Sequence, residues 1–199
     1  MHGLICKSVE GFVIANHGTA AWERVRRDAG LPFERFETMR LYEDGLLEQV
    51  VAATAARLDR KVLGLIEDVA HWVCVHPPLE PVRRLIRFTG ATFEDLILAL
   101  DEIEDRARMA VPDLELPSFR VRELGPDAFH VDSEWTMPGA SAMLTGVLRA
   151  MSDDYGCLAV IESAGFQRDG AVWREAITIH LVAEGHHPAR RFDLGAGAA

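Results

Sequence analysis

Cysteine is scarce and scattered. The chain has three among 199 residues, Cys6, Cys74 and Cys157. No pair has zinc-ligand or redox spacing, so free thiols in a reducing compartment are expected. Basic charge is also short: 21 Lys and Arg stand against 31 Asp and Glu, a formal net charge of -10. A nucleic-acid backbone demands a dense basic surface, so no nucleic-acid partner is expected, and docking on anionic membrane is disfavoured. No segment reaches the roughly 18 apolar residues of a membrane span. The N-terminus lacks a basic region followed by an apolar run, and Glu10 interrupts the first apolar stretch. A cytoplasmic location is expected. HExxH, GxSxG, Walker and GxGxxG patterns are missing. His17 and His130 stand alone, and the chain does not read as an enzyme.

What is present is ordinary for a globular domain: 49% apolar and 26% charged residues. One domain is expected over residues 1–185, with 186–199, including Leu194-Gly195-Ala196-Gly197, as a mobile tail. The first half carries helical periodicity. Leu4, Ile5, Val9, Phe12 and Val13 make one face; Gly18 breaks that helix and Thr19 can cap the next, which buries Trp22 and Val25. Residues 31–43 read as loop. Asp44 can cap a helix carrying Leu46, Leu47, Val50, Val51 and Leu58. Another helix runs from about Lys61 to Cys74, stopped by Pro77-Pro78, and a short one holds Val82, Leu85, Ile86 and Phe88. Thr92-Phe93-Glu94-Asp95 has capping-box form, opening a helix through Leu96, Leu100, Ile103 and Val111.

Beyond Pro112 the apolar period changes to that of strands. Phe119, Val121 and Leu124 alternate, Gly125-Pro126-Asp127 turns, and Phe129–Trp135 is a second strand. A helix follows from Pro138 through Met151, then strands at Leu158–Ile161 and Ile177–Val182. The fold class is α+β: a helical lobe, then a four-stranded antiparallel sheet lobe with an inserted helix.

That order, and the residues along it, resemble the haem nitric oxide/oxygen binding (H-NOX, HNOB) family. Met1-His2-Gly3-Leu4-Ile5 is similar to its opening Met-x-Gly followed by two apolar residues. Glu10, His17-Gly18 and Ala21-Trp22-Glu23 follow at similar spacing. Leu100-Asp101-Glu102-Ile103, Pro112-Asp113-Leu114 and Pro117-Ser118-Phe119-Arg120 resemble the helix and exit segment on the proximal side of the haem. The resemblance covers roughly residues 1–183. It implies a domain that senses nitric oxide or oxygen and passes a shape change to a cyclase, a cyclic-dinucleotide enzyme or a histidine kinase.

The implied pocket positions carry over unevenly. Ile5 and Val73 stand where the family lines the distal side, and Pro117 where a proline presses on the porphyrin. The family's Leu-Asp-x-(apolar)-His supplies the axial imidazole; here the run ends in Glu104. Its Tyr-x-Ser-x-Arg grips the haem propionates; here Val131-Asp132-Ser133-Glu134-Trp135 keeps Ser133 alone. Alternation points Asp132 and Glu134 away from that face. Losing axial ligand and clamp together removes the iron bond and the charge-assisted hydrogen bonds that orient the cofactor. Three readings remain open. The chain is a haem-independent interaction module, a sensor for another apolar ligand, or a haem protein with a substitute ligand among His71, Cys74 and His76. His186-His187 reads as solvated rather than metal-binding. Trp135 is expected to fill part of the old pocket, with Ile5, Val73, Leu100 and Pro117 around it. Glu104 would be exposed through a narrowed channel or buried with Arg106 and Arg108 too far round the helix to pair easily; buried and unpaired, it would be partly protonated.

Overall fold

The computed structural model describes residues 1–43 and 45–190. The expected helices and strands are found, in the expected order. α1 (Gly3–His17) and α2 (Thr19–Asp28) meet at Gly18, whose φ of 82° lies in the left-handed region. The bend is so tight that Thr19 is already helical, and Gly18 rather than a threonine hydroxyl marks the boundary. α3 (Leu46–Arg57) follows the loop; the expected cap at Asp44 lies outside the described residues. Next come α4 (Val62–Val75) and α5 (Glu80–Arg87).

The long helix expected over 93–111 is three pieces: α6 (Phe93–Leu98), a 3-10 turn at Leu100–Glu102 and α7 (Ile103–Ala110). Thr92 and Asp95 form the capping box at the start of α6. Four carboxylates, Asp101, Glu102, Glu104 and Asp105, fall at the break. Restarting the helix at Ile103 puts Glu104 and Asp105 in the first turn of α7, where the helix dipole favours them.

β1 (Ser118–Gly125), β2 (Ala128–Trp135), β3 (Leu158–Asp169) and β4 (Val172–Ala183) form an antiparallel sheet in the order β1-β2-β4-β3. Asp127, with φ of 57°, makes the turn between β1 and β2, a conformation that Asp tolerates better than most residues. β3 runs on to Asp169, well past Ile161, because its hairpin with β4 does not turn until Gly170. α8 (Ala140–Tyr155) is inserted between β2 and β3.

Two apolar cores result. The helical-lobe core holds Cys6, Val13, Trp22, Val25, Val50, Leu65 and Val69, with Trp135, Met137 and Ala140 reaching in from the sheet half. The sheet-lobe core holds Leu96, Leu100, Phe129, Val131, Leu148, Met151, Ile177 and Ile179, with Cys74 reaching in from α4. α4 and α8 therefore serve both cores, and they pack directly on one another. A Cβ added at Gly146 would stand 2.2 Å from the Glu67 carbonyl oxygen and 2.9 Å from Ala70 Cβ. Gly146→Val should force these helices apart and cost about 1–3 kcal/mol. An unchanged urea midpoint would show that the close approach is not needed.

Among the described residues no helix is long and apolar enough to cross a membrane.

Candidate functional site

β2 alternates as its sequence demands. Val131, Ser133 and Trp135 point inward and are buried, while Asp132 and Glu134 face out. Asp132 pairs with Arg122 at 3.0 Å and lies 3.0 Å from His130 Nε2. Glu134 pairs with Arg174 at 3.0 Å. The inward residues separate: Val131 joins the sheet-lobe core, and Trp135 the helical-lobe core, where Ile5 also packs. Leu100 belongs to the sheet-lobe core, so it does not share a cluster with Trp135. Val73 is half-buried on α4, and Pro117 is buried just ahead of β1.

Ser133 is 2% exposed, and its hydroxyl donates to the Glu175 carbonyl at 3.1 Å. Glu175, directly across the ladder on β4, is equally buried. Its carboxylate accepts from Gly139 N–H at 2.6 Å, Ser141 N–H at 2.9 Å and Ser141 Oγ at 2.5 Å. It thereby caps α8 from outside the helix, meeting backbone N–H groups that a helix start leaves unsatisfied.

Glu104 is neither buried nor unpaired. Its side chain is 31% exposed and forms an ion pair with Arg108, one turn along α7. Spacing of four residues puts the two on one face, so Arg108 is well placed rather than too far round. Arg108 also reaches Asp105 at 3.1 Å.

The substitute-ligand candidates lie along the last turns of α4 and at its C-cap. His71 is half-buried on α4. His76 stacks on Trp72, with ring centroids 4.4 Å apart. Cys74 is 2% exposed. Burial, with a smaller push from the Asp154 charge, raises its thiol from the usual 9.0 to about 12. Burial likewise raises Cys6 to about 11. Among the described residues no group of three or more His, Cys, Asp or Glu side chains could hold a metal ion. Both thiols should resist iodoacetamide at about pH 9 in the folded chain and react once it unfolds, because the thiolate is the nucleophile. The sign for stability follows. The folded state holds these protons more tightly, so their contribution is complete below about pH 9 and is lost as pH rises toward 11 and 12. Alkylation of folded protein at pH 9 as fast as unfolded protein would contradict this.

Buried carboxylates escaped the sequence reading; beside Asp154 on α8, two of them are Glu10 and Glu175. Glu10 on α1 is fully buried. It accepts from Phe36 N–H at 2.7 Å and pairs with Arg35 at 3.1 Å and Lys7 at 2.6 Å, pinning the 31–43 loop. Glu175 is the second. A charge in phase with Ile177 and Ile179 on the inward face of β4 was its available signal.

A two-lobed α+β molecule of this topology is an H-NOX fold. Its overlay on the I5F mutant of T. tengcongensis H-NOX has a TM-score of 0.77 at 11% identity, covering 92% of this chain and 99% of that one. An S. oneidensis H-NOX structure overlays with the same TM-score of 0.77 at 15% identity, covering 94% and 98%. The sequence model of the Haem-NO-binding family matches residues 2–162, and the chain belongs to that family. Soluble guanylate cyclase 89Db of Drosophila melanogaster is 21% identical over 78% of this chain. Soluble guanylate cyclase gcy-31 of Caenorhabditis elegans is 22% identical over 60% of it. The chain spans only 23% and 17% of the length of these two relatives. H-NOX domains are sensor domains within a haem-based gas-sensing family.

Proposed function

We propose that this chain, over residues 1–185, is a non-catalytic sensory or signalling domain that works without conventionally held haem. It passes a change of shape to a separate cytoplasmic partner: a cyclase, a cyclic-dinucleotide enzyme or a histidine kinase. The observation that carries the reading is Glu104, ion-paired to Arg108 at the position the family gives to the axial imidazole. A carboxylate is a hard anion, and ferrous haem favours imidazole. The positions for the propionate clamp point the same way. Val131 and Trp135 are core residues, and the Ser133 hydroxyl is engaged with backbone. The side chains present do not fit the group.

The test is an absorption spectrum of the purified chain after haem is offered. No sharp five-coordinate ferrous Soret band and no nitrosyl complex are expected. Glu104→His alone should restore only weak binding, since the clamp stays broken at Val131 and Trp135. A stoichiometric, tightly held haem in the unmodified chain would overturn the reading. His71→Ala, Cys74→Ala and His76→Ala would then locate the ligand.

A further inference from the structure

A groove of about 760 Å³ crosses the joint between the lobes. Met1, Leu41 and Glu48 line it from the helical lobe. Arg108, Asp113 and Glu115 line it from the end of α7 and the exit segment that leads to β1. Backbone pairing fixes the first wall. Gly3 N–H donates to Arg40 O at 2.8 Å and Tyr42 N–H to Met1 O at 2.9 Å, which ties the 40–42 loop to the start of the chain. The floor is apolar: Leu47, Leu114 and Met137 line it, and each is buried. Leu41 stands 58% exposed at the rim. None of the positions that the family resemblance gives to haem lines this groove.

Its charge is one-sided. Glu48, Asp113 and Glu115 are exposed, and none of them pairs with a cation among the described residues. On the open face of the sheet, by contrast, Asp132 and Glu134 each have an arginine. The cations in the walls are already engaged. The Met1 amino group donates to Tyr42 O at 3.0 Å, and Arg108 pairs with Glu104 and Asp105. An apolar floor under an unneutralised acidic rim suits a segment with apolar anchors on one side and Lys or Arg beside them. No residue of β1–β4 lines the groove, so an extended peptide finds no strand edge to pair with. A helix satisfies its own backbone and is the better fit. A second copy of this chain, with the same net charge of -10, would bring like charge to the rim.

We propose that this groove docks a basic amphipathic helix of the signalling partner, with its apolar side on Leu47, Leu114 and Met137 and its cations on Glu48, Asp113 and Glu115. Both lobes supply walls, so a change in how the lobes meet widens or closes the groove. Arg108 also ties one wall to Glu104, at the position the family gives to the axial imidazole. The proposal rests on the reading above, that the chain signals to a separate protein, and names the chemistry of that protein's contact.

The experiment titrates the full chain into a fluorescein-labelled model peptide of Leu and Lys, with leucine at i, i+3, i+4 and i+7. Anisotropy is read at about 150 mM salt, where weak surface attraction is screened. The controls are the same composition with the spacing scrambled, and a Leu and Glu peptide of the same pattern. The parent should bind the Leu/Lys helix roughly tenfold or more tightly than either control. Glu48→Lys with Asp113→Lys and Glu115→Lys should raise its Kd roughly tenfold or more. Leu41→Ser should raise it about threefold. Glu123→Lys with Glu162→Lys and Glu184→Lys makes the same charge change at exposed sites outside the groove, and should stay within about twofold of the parent.

If the triple reversal in the groove lowers the urea midpoint, Glu48→Gln with Asp113→Asn and Glu115→Gln makes the comparison, with a smaller loss in the same direction. No saturable binding by the parent, equal binding of a control peptide, or an equal loss in the two reversed triples would overturn the docking role. A dimer in sedimentation that Leu41→Ser breaks would assign the groove to a second copy instead and overturn it too. Haem uptake by the unmodified chain would overturn the haem-independent reading. Absorption reads that and anisotropy reads the groove, so the two failures are separate.

Discussion

Trp135→Ala should lower the stability of the chain by about 3–5 kcal/mol, the usual cost of deleting a buried indole. Trp135 is 7% exposed at the end of β2, and its packing partners lie in the other lobe. It is the last residue of the sheet segment to enter the helical-lobe core before Met137 and Ala140 continue that contact. Deleting it therefore both opens a void and loosens the joint between lobes. Equilibrium urea unfolding gives the loss. Added indole, which matches the missing volume, should bind the void and restore part of it. Trp173, its half-buried partner across the β2–β4 ladder, sets the scale: Trp173→Ala should cost clearly less. A Trp135→Ala loss below about 1 kcal/mol would mean that the indole does not close this joint.

The elements were legible because their signals are local. The Thr92 capping box, the change of period at Pro112 and the alternation of Val131, Ser133 and Trp135 each lie within a few residues. Which core each inward side chain joins was not legible. That depends on how α4 and α8 cross, and the close approach at Gly146 is fixed by tertiary packing. The fracture of the 93–111 helix was readable in principle from four carboxylates in five positions, as was the i,i+4 pairing of Glu104 with Arg108. Glu10 and Glu175 were harder. Their partners at Phe36 and Gly139 lie 26 and 36 residues away, so nothing near either glutamate announces the amides it meets. A charge inside an apolar stretch was the only trace, and it reads equally well as an interruption.

Asp154→Ala should cost about 3–5 kcal/mol, the range for stranding a buried charge. Asp154, near the end of α8, is 5% exposed and Arg83 on α5 is 4% exposed. Asp154 Oδ1 accepts from Arg83 at 2.6 Å, and Oδ2 lies 3.2 Å from Arg87 Nε. Arg83 also bonds Glu80, whose carboxyl is held below its ordinary range chiefly by that hydrogen bond. Arg87 lies over the Tyr155 ring at 3.4 Å, and the Tyr155 hydroxyl donates to Gly90 O at 2.7 Å. Removing Asp154 leaves the Arg83 guanidinium with the more exposed Glu80, too little to offset its desolvation.

The pair's net worth is a different quantity from the cost of breaking it. Arg83→Met with Asp154→Leu removes both charges and keeps apolar volume, and should lie within about 1–2 kcal/mol of the parent, because two well-packed apolar groups repay no desolvation. The cycle built on Arg83→Met and Asp154→Leu should then show a coupling of about 4 kcal/mol or more, because each single change strands the charge that the double change removes. Losses that simply add would mean that Arg83 and Asp154 are solvated in the folded chain and the network is not closed. Cys74 supplies an independent check. Burial is the larger cause of its raised pKa and the Asp154 charge the smaller. Its alkylation at pH 9 should therefore stay slow in the double variant if α4, α5 and α8 keep their packing, and become fast if they separate.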